Sequence, residues 1–312
     1  MSDVARVESV GGEGPLLVIH GGAGRRLHEM TPAQRAETDA ALAVSLDAGM
    51  AVLEAGGAAE DAVIAAIHVM EDAPCFNCAR GAALTLDGCA ELDACLMLGD
   101  GSVGAACGLT TAKHPIDVAQ AVMRKTSHVL FAEPAPALLE EWGIEQVEND
   151  YFVTPARQAA LEEWKRLHAA GDTDVDATRH GTVGAVARDA SGHIAAGTST
   201  GGITGQVPGR VGDSPICGAG TYANASSVAV SCTGTGEYFI KESAAYQVHA
   251  RVTLAGEGLA EAAAATLNAV DARGGNGGVI ALPAQGAGVI GFTDGAQMNR
   301  GWAWKGERHT FE

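Results

Sequence analysis

The sequence predicts an α+β fold built from layered sheets with helices on their outer side. Segments with strand-like and helix-like patterns come in blocks rather than in strict alternation, which is typical of that architecture. A chain of 312 residues is long enough to bury a large core. Glycine is frequent, with 42 residues, and aromatic residues make up only 4%, so tight turns and close backbone approaches are expected.

Start and stop signals mark the elements of the first half of the chain. Thr31-Pro32 opens the first helix, Gln34 is placed to complete a capping box, and Gly56-Gly57 ends the helix. The predicted elements, in order, are a buried strand LLVIH (16–20) ending in a glycine-rich turn HGGAG (20–24), a helix over 31–53, a helix over about 59–71, a hairpin of ALTL (83–86) and ELDACLML (91–98) across Asp87-Gly88, and helices near 116–128 and 155–169.

The second half follows a polar, aperiodic stretch, GDTDVDATRHG (171–181), which is predicted to be an exposed loop of the kind where chains are cut. Strands and helices are then predicted from their two periodicities. In order, they are a hairpin of TVGAVARD (182–189) and HIAAGTST (193–200) around Ser191-Gly192, a strand SSVAVSC (226–232), a helix GEYFIKESAAYQVHARV (236–252), a helix over about 257–270, and strands GVIAL (278–282) and GVIGF (288–292).

Charge and composition exclude several classes of partner. The formal net charge is −18 and no basic tract occurs, so nucleic acid and anionic membranes are poor partners. No run of about 18 apolar residues is long enough for a membrane span, and no signal peptide is visible, which predicts a cytoplasmic protein. The seven cysteines read as reduced core residues, and the pair Cys75 and Cys78 has no second pair at metal spacing.

Two motifs offer alternative functions. GDGSVG (99–104) has the dinucleotide-binding glycine pattern, but the sequence after it does not read as a helix, and Arg124 stands where an acidic residue is required. GTSTG (197–201) has the nucleophile-elbow spacing around Ser199, but glycines and a proline follow instead of a helix. A nucleotide-binding module and a serine hydrolase therefore remain as alternatives.

The stretch HGTVGAVARD (180–189) places Thr182 where a polar linker meets an apolar strand. A threonine hydroxyl is a weak nucleophile unless a base lies beside it, and the threonine's own free α-amine is one known base. That arrangement requires cleavage of the bond before Thr182. Gly181 suits such cleavage, because a residue without Cβ tolerates a strained backbone and leaves room for attack on its carbonyl. Taken alone, Thr182 is interpreted more readily as a β-branched residue that opens a strand.

Two further motifs suit the binding of an amino acid and the stabilisation of an oxyanion. PGRVGDSP (208–215) holds Arg210 and Asp213 three residues apart, and this pair suits an α-carboxylate and an α-ammonium group. SCTGTGE (231–237) ends a strand and begins a helix, so its backbone N–H groups and the Thr233 hydroxyl suit a developing oxyanion.

Together with HGGAG, PCFN, ELDAC, TSTGG and GAGTYAN, these motifs resemble the plant-type asparaginases, also called isoaspartyl peptidases. The similarity runs over nearly the whole chain and is most specific over 180–240. That family consists of N-terminal-nucleophile hydrolases, which cleave themselves before a threonine. Gly181, where the sister glycosylasparaginases usually have aspartate, favours the plant-type branch.

The resemblance implies a fold, an assembly and a set of roles. The fold would be a four-layer αββα sandwich, cut into an α subunit (1–181) and a β subunit (182–312) that pair as (αβ)₂. The substrates would be β-aspartyl dipeptides and L-asparagine, with no cofactor for catalysis. The implied site residues are Thr182 as nucleophile, Thr200 as its hydrogen-bond partner, Thr233 and Gly234 as the oxyanion hole, Arg210 and Asp213 as holders of the substrate's α-carboxylate and α-amine, and Gly236 and Asn77 as further substrate contacts.

The same resemblance implies a structural sodium ion held by backbone carbonyl groups. The donors would lie in a loop from Met70 to Arg80, namely Met70, Glu71, Ala73, Phe76, Cys78 and Arg80. The chain departs from the family here, because FNCARG places Ala79 where a glycine is usual. A further departure is MLGDG (97–101) where the family has Met-Asp-Gly. A family member that folds without processing itself is therefore a third alternative.

Overall fold

Two β-sheets form the centre of the computed structural model, which describes residues 5–24, 30–170, 181–294 and 296–311. The strands β1 to β13, in chain order, are Arg6–Val10, Leu16–Gly24, Leu92–Leu98, Val103–Leu109, Leu130–Ala132, Val183–Arg188, Ile194–Thr200, Thr221–Ala223, Val228–Gly234, Gly277–Pro283, Gly288–Phe292, Gln297–Trp304 and Glu307–Phe311. The larger sheet has the order β13-β12-β2-β6-β7-β3-β4-β5, and the smaller sheet has the order β1-β11-β10-β9-β8.

The six helices that the sequence predicts begin at or close to the expected residues. Thr31 accepts a hydrogen bond from the Gln34 amide at 3.3 Å, and Gln34 Oε1 accepts one from the Thr31 amide at 2.9 Å, which confirms the capping box. The helices α1 to α8 are Pro32–Glu54, Ala59–Asp72, Pro115–Lys125, Pro136–Trp142, Pro155–Ala169, Gly236–Glu242, Ala244–Ala250 and Leu259–Ala272. None of the described helices is long and apolar enough to cross a membrane.

The central strands of both sheets are largely apolar because both of their faces are covered. In β2, Leu17 and Ile19 pack in one core with α1 and α2, whereas Val18 between them packs in a second core with residues of the smaller sheet such as Ile280 and Ile290. The alternation of side chains along a strand produces this division. The smaller sheet repeats it, because Val279 packs with α7 and α8 while Ile280 faces the larger sheet. These layers establish the predicted α+β class.

The β6–β7 hairpin positions the candidate nucleophile at the centre of the larger sheet. Val183 pairs with Ser199 and Arg188 pairs with Ile194, as the sequence predicts. β2 flanks this hairpin on one side and β3 on the other. Because the hairpin is central, the residues at its open end are surrounded by backbone from several neighbouring strands.

The predicted hairpin of ALTL (83–86) with 91–98 is wrong. Residues 83–86 lie outside the described strands, and the backbone of Leu84 and Leu86 bonds to Gly205 and Gln206. β3 instead pairs with β4 and β7, and the turn between β3 and β4 is the GDG of GDGSVG. That motif therefore belongs to a β-hairpin rather than to a strand–helix junction, which contradicts the dinucleotide-binding interpretation.

Other predicted boundaries also require correction. HGGAG is the second half of β2 rather than a turn, since it continues to pair with β12 through Gly24. The predicted helix 236–252 is broken by Ser243, which adopts a left-handed conformation with φ of 49°. The predicted loop 171–181 lies outside the described residues, except for Gly181. The sequence analysis missed several elements, namely β1, β4, β5, β8, β12, β13 and α4.

Gly104 provides a test of how β4 packs on α3. A Cβ at this position would overlap the Ala119 carbonyl oxygen and the Met123 amide nitrogen. We expect Gly104→Ala to lower the free energy of unfolding by about 1–3 kcal/mol, because the backbone must move apart to accommodate the methyl group. Urea unfolding checks this prediction. Gly258→Ala is the control, because open space surrounds Gly258 and only its preference as the N-cap of α8 is lost, at about 0.5–1 kcal/mol. Equal losses for both variants would contradict the packing argument.

Candidate active site

Thr182 lies directly before β6 and is only 6% exposed. Its hydroxyl oxygen is 3.0 Å from the hydroxyl oxygen of Thr200, the last residue of β7. Because Val183 pairs with Ser199, the two threonines face each other across the hairpin and point to the same face of the sheet. The structure thus brings together the predicted nucleophile and its predicted partner.

The Gly181 carbonyl group, which precedes Thr182, accepts hydrogen bonds from two side chains. Asn77 Nδ2 donates at 2.6 Å and Thr200 Oγ donates at 3.3 Å. A hydroxyl has one proton, so when Thr200 donates to Gly181 its oxygen accepts the proton of the Thr182 hydroxyl. This arrangement polarises the carbonyl carbon and provides the neighbouring hydroxyl with a proton acceptor. Asn77 therefore lies on the carbonyl of the bond expected to be cut.

His20 fixes the carbonyl group of Thr182 itself. Its Nδ1 lies 2.9 Å from that oxygen, and its Nε2 lies 2.9 Å from the Ser231 hydroxyl. Burial lowers the pKa of His20 to about 3, although the bond to Thr182 opposes this shift. The imidazole is therefore neutral at pH 7, with the Nδ1 proton donated to the carbonyl and Nε2 accepting from Ser231. The sequence analysis missed His20, although a polar residue at the end of the apolar run LLVIH is a signal that could have found it.

Arg210 and Asp213 lie side by side, as predicted. A Cβ on Gly236 would lie 2.8 Å from Asp213 Oδ1 and 3.1 Å from Arg210 Nη2, so Gly236 contacts both side chains. Arg210 donates from Nε and Nη2 to Glu237 Oε1 at 3.0 and 2.9 Å. Asp213 is buried and its Oδ2 has no hydrogen-bond partner among the described residues. A cation and an unpaired carboxylate oxygen at one place suit a ligand with both an anionic and a cationic group.

Buried carboxyl groups surround Arg210 at this place. Burial raises the pKa of Asp213 to about 7, and it raises the pKa of Asp93 to about 6, while the positive charge of Arg210 opposes both shifts. Asp93 also accepts from the Gly108 amide at 3.0 Å. No local sequence pattern predicts these contacts of Asp93 and Glu237. Both depend on pairings between distant segments, which leave no local pattern.

Thr233 and Gly234 end β9 beside the same site. Thr233 Oγ accepts from the Ala23 amide of β2 at 3.2 Å, which leaves the Thr233 hydroxyl proton available to a ligand. Gly234 has φ of 144°, and a Cβ there would overlap the Asn276 carbonyl oxygen. Gly22 in β2 likewise leaves no room for a side chain, because a Cβ at this position would lie 3.2 Å from the Thr182 nitrogen. Only glycine permits this close approach of β2 to the residue that precedes β6.

Gly181 helps to line two cavities of very different size. The smaller is about 10 Å³ and is lined by residues that include Thr182, Arg210, Asp213 and Gly234. That volume holds about one water molecule. The larger is about 630 Å³ and is lined by residues that include Asn77 and Arg157. With Gly181 in place, an amino acid cannot enter the smaller cavity.

The loop that the resemblance assigns to sodium begins inside α2, because Met70 and Glu71 form its last turn. The proposed carbonyl donors are Met70, Glu71, Ala73, Phe76, Cys78 and Arg80. Three of them already accept one backbone hydrogen bond each, from Ala73 to Met70 at 3.3 Å, from Arg80 to Glu71 at 3.0 Å and from Phe76 to Ala73 at 3.2 Å. A carbonyl oxygen has a second lone pair, which at Met70 accepts from Cys78 Sγ at 3.3 Å, so the Glu71 and Ala73 oxygens are the two of these three that are compatible with a bound cation.

Ala79 adopts the conformation that the usual glycine would provide in this loop. Its φ is 34°, in the left-handed region, and its side chain is fully buried. A residue with a Cβ pays roughly 1–2 kcal/mol for that conformation. The replacement of glycine by alanine therefore preserves the turn in this chain, at a cost in backbone strain.

Ser199 does not have the surroundings of a nucleophile. Its hydroxyl is buried and donates to Glu71 Oε1 at 2.7 Å. Because side chains alternate along β7, Ser199 points toward α2 while Thr198 and Thr200 point toward the smaller sheet and the candidate site. A hydroxyl bound to a buried carboxylate of α2 contradicts the serine-hydrolase interpretation, which requires an imidazole base at this hydroxyl.

The fold and the site define a class of protein in which a threonine directly before a central strand shares a cavity with an arginine and a buried aspartate. A family model described as "Asparaginase" matches residues 13–311, and the chain belongs to that family. It is 42% identical over 307 residues to the isoaspartyl peptidase of Salmonella typhimurium, covering 95% of this chain and 97% of that protein. The isoaspartyl peptidase of Escherichia coli K12 is 41% identical over 306 residues, covering 95% and 94%. A probable isoaspartyl peptidase/L-asparaginase of Arabidopsis thaliana is 37% identical over 316 residues, covering 92% and 95%.

Asp213 predicts a pH-dependent stability. Its folded-state pKa is about 7 and the ordinary value is 3.8, so the stabilisation is present at low pH and is lost as the pH rises from about 4 to 7. We expect Asp213→Asn to raise the free energy of unfolding at about pH 8 by up to about 4 kcal/mol, with little gain near pH 4.5.

Urea unfolding of the variant and its parent at the two pH values measures this difference. Both chains carry Thr182→Ala, so that neither can be cut at this residue. The exposed Asp87, changed to asparagine, is the control and is expected to change stability equally little at both pH values. A gain from Asp213→Asn that is the same at both pH values would contradict the prediction.

Proposed function

We propose that this protein is a self-processing threonine hydrolase that acts on β-aspartyl dipeptides and on L-asparagine. The observation that carries the proposal is the Thr182 hydroxyl at 3.0 Å from Thr200, beside a Gly181 carbonyl group that accepts two side-chain hydrogen bonds. The names of the relatives, isoaspartyl peptidase and L-asparaginase, support the choice of substrates.

Self-cleavage begins with attack of Thr182 Oγ on the Gly181 carbonyl carbon. Thr200 Oγ accepts the hydroxyl proton, and Asn77 Nδ2 stabilises the oxyanion that forms. The C–N bond then breaks as Thr200 passes this proton to the departing amine, and Gly181 is left as an ester of Thr182. Water hydrolyses the ester, which releases a carboxylate on Gly181 and a free α-amine on Thr182.

The released α-amine makes Thr182 a competent nucleophile for substrate. It accepts the hydroxyl proton while Oγ attacks the side-chain amide carbonyl of the β-aspartyl group. Departure of Gly181 joins the small cavity to the large one, so that Arg210 and Asp213 become accessible to the α-carboxylate and α-ammonium of the substrate.

The Thr233 hydroxyl and the Gly234 amide stabilise the oxyanion of this second reaction, and Gly236 contacts the bound substrate. The α-amine of Thr182 returns its proton to the leaving group, which departs as an amino acid or as ammonia. Water then hydrolyses the β-aspartyl ester and releases aspartate. In this scheme the protein needs no cofactor for catalysis.

The assembly belongs to the same proposal. The two sheets and their outer helices would form a four-layer αββα sandwich, cut into an α subunit (1–181) and a β subunit (182–312) that assemble as (αβ)₂. The loop carbonyls from Met70 to Arg80 would hold a sodium ion, which would stiffen the loop that carries Asn77. The cytoplasmic location stays a prediction.

Substitution of Thr182 tests the nucleophile. We expect intact-mass spectra of freshly purified protein to show two fragments divided between Gly181 and Thr182. Thr182→Val, which keeps the shape and lacks the hydroxyl, should give one uncut and inactive chain. Thr182→Ser restores a hydroxyl and should cleave. An uncut wild-type chain, or activity in Thr182→Val, would overturn the proposal; the former outcome would favour a family member that does not process itself.

Asn77 has a separate, measurable role in self-cleavage. We expect Asn77→Ala to slow processing by about 10²–10³-fold, because it removes one donor to the oxyanion. The half-time of cleavage on denaturing gels checks this. Asn77 also donates to Gly202 at 2.7 Å and accepts from Ala83, so folding is compared through thermal unfolding of Asn77→Ala in the uncut Thr182→Val chain. Processing at the wild-type rate would exclude this role for Asn77.

A further inference from the structure

A group of imidazole and carboxylate side chains lies between α2 and α3, on the side of the larger sheet opposite to Thr182. His68, Glu71 and His114 each offer one ligand atom, and these atoms lie within 4.8 Å of one another. Glu71 Oε2 is 3.0 Å from His114 Nδ1, and the rings of His68 and His114 are 4.4 Å apart between centroids. The mechanism proposed for Thr182 uses none of these three side chains.

Local structure explains why the three side chains converge. His68 and Glu71 are three residues apart on α2 and therefore share one face of that helix. His114 occupies the position before Pro115, where the chain enters α3 and the backbone is extended. The packing of α2 against α3 on the larger sheet brings His114 over the last turn of α2.

Surrounding groups hold two of the three side chains in fixed orientations. Glu71 is fully buried, and its Oε1 accepts from Ser199 Oγ at 2.7 Å and from the Ile116 amide at 3.2 Å. These bonds leave Oε2 directed at His114. The Nε2 of His68 lies 2.6 Å from Asp117 Oδ1. A histidine that binds a metal through one nitrogen commonly donates its other N–H group to a carboxylate in this way.

We propose that His68, Glu71 and His114 bind a divalent transition-metal ion of the zinc class. Two imidazole nitrogens and one carboxylate oxygen are ligands that Zn²⁺ accepts and that Na⁺, Mg²⁺ and Ca²⁺ do not prefer. The side chain of His68 is 36% exposed, which leaves an opening to solvent for a fourth ligand such as water. This ion is distinct from the sodium ion discussed above, because it uses the carboxylate of Glu71 and not its carbonyl group.

The competing interpretation is a histidine pair that needs no metal. Asp72 lies 3.8 Å from His114 Nε2, so Glu71, Asp72 and Asp117 together could balance the charge of protonated imidazoles. The two interpretations differ in one measurable property. Only the proposed metal site binds one metal ion per chain with an affinity that depends on both histidines.

Calorimetric titration with Zn²⁺ tests the proposal on the full, untagged chain after treatment with a chelator. The chain carries Thr182→Ala, so that no new α-amine competes for the metal. We expect one equivalent of Zn²⁺ to bind, and we expect His68→Gln and His114→Gln each to abolish this binding phase. Asp117→Asn should weaken it by about 10–100-fold, since Asp117 only orients His68. His128→Gln, an exposed histidine outside the group, should leave it unchanged.

Absorption of the Co²⁺-loaded chain provides a readout that does not depend on how well the variants fold. Nitrogen and oxygen ligands give weak d–d bands without the intense thiolate charge-transfer band that the free cysteines would produce. A strong thiolate band would assign the metal to the cysteines and overturn the proposal. Failure of the Thr182→Ala chain to bind Zn²⁺, or binding that survives both His68→Gln and His114→Gln, would also overturn it. The proposal does not depend on the proposed threonine chemistry.

Discussion

Two adjacent carbonyl groups, that of the partly buried Gly181 and that of the buried Thr182, are the constraint on which the rest of the site depends. A buried backbone carbonyl without a partner costs about 1–3 kcal/mol, so the fold has to supply donors at this point. Asn77 donates to the first and His20 to the second. The donors come from segments more than a hundred residues away in the chain, and they fix the threonine hydroxyl at the open end of the β6–β7 hairpin.

Close backbone packing makes those hydrogen bonds possible. Gly22 and Gly181 approach each other so closely that a Cβ on Gly22 would lie 2.9 Å from the Gly181 Cα, and a Cβ on Gly181 would lie 3.0 Å from the Asn77 Cβ. Some of the chain's many glycines thus lie where several strands meet around the Gly181–Thr182 peptide bond. The small cavity beside Arg210, which Gly181 helps to line, is therefore only about 10 Å³.

The electrostatics of the site oppose stability. Asp213 is buried with an unpaired oxygen, and its pKa of about 7 shows that the folded protein resists its ionisation. Arg210 offsets part of this cost, but its nearest hydrogen-bond partner is Glu237. A substrate ammonium group would supply the missing partner for Asp213. A buried polar group that lacks a partner in the free protein lowers stability, as is common at functional sites.

The sequence by itself determined the class of fold, the starts of most helices and the β6–β7 hairpin, because these depend on local periodicity and capping. Short motifs and the family resemblance singled out Thr182, Thr200, Arg210 and Asp213, whose roles stay predictions. Tertiary structure decided the rest. It assigned β3 to β4 and β7 instead of residues 83–86, extended β2 through its glycines, and brought His20 and Asn77 to consecutive carbonyl groups. Strand pairing and the satisfaction of buried polar groups join residues far apart in the chain, so no local pattern records them.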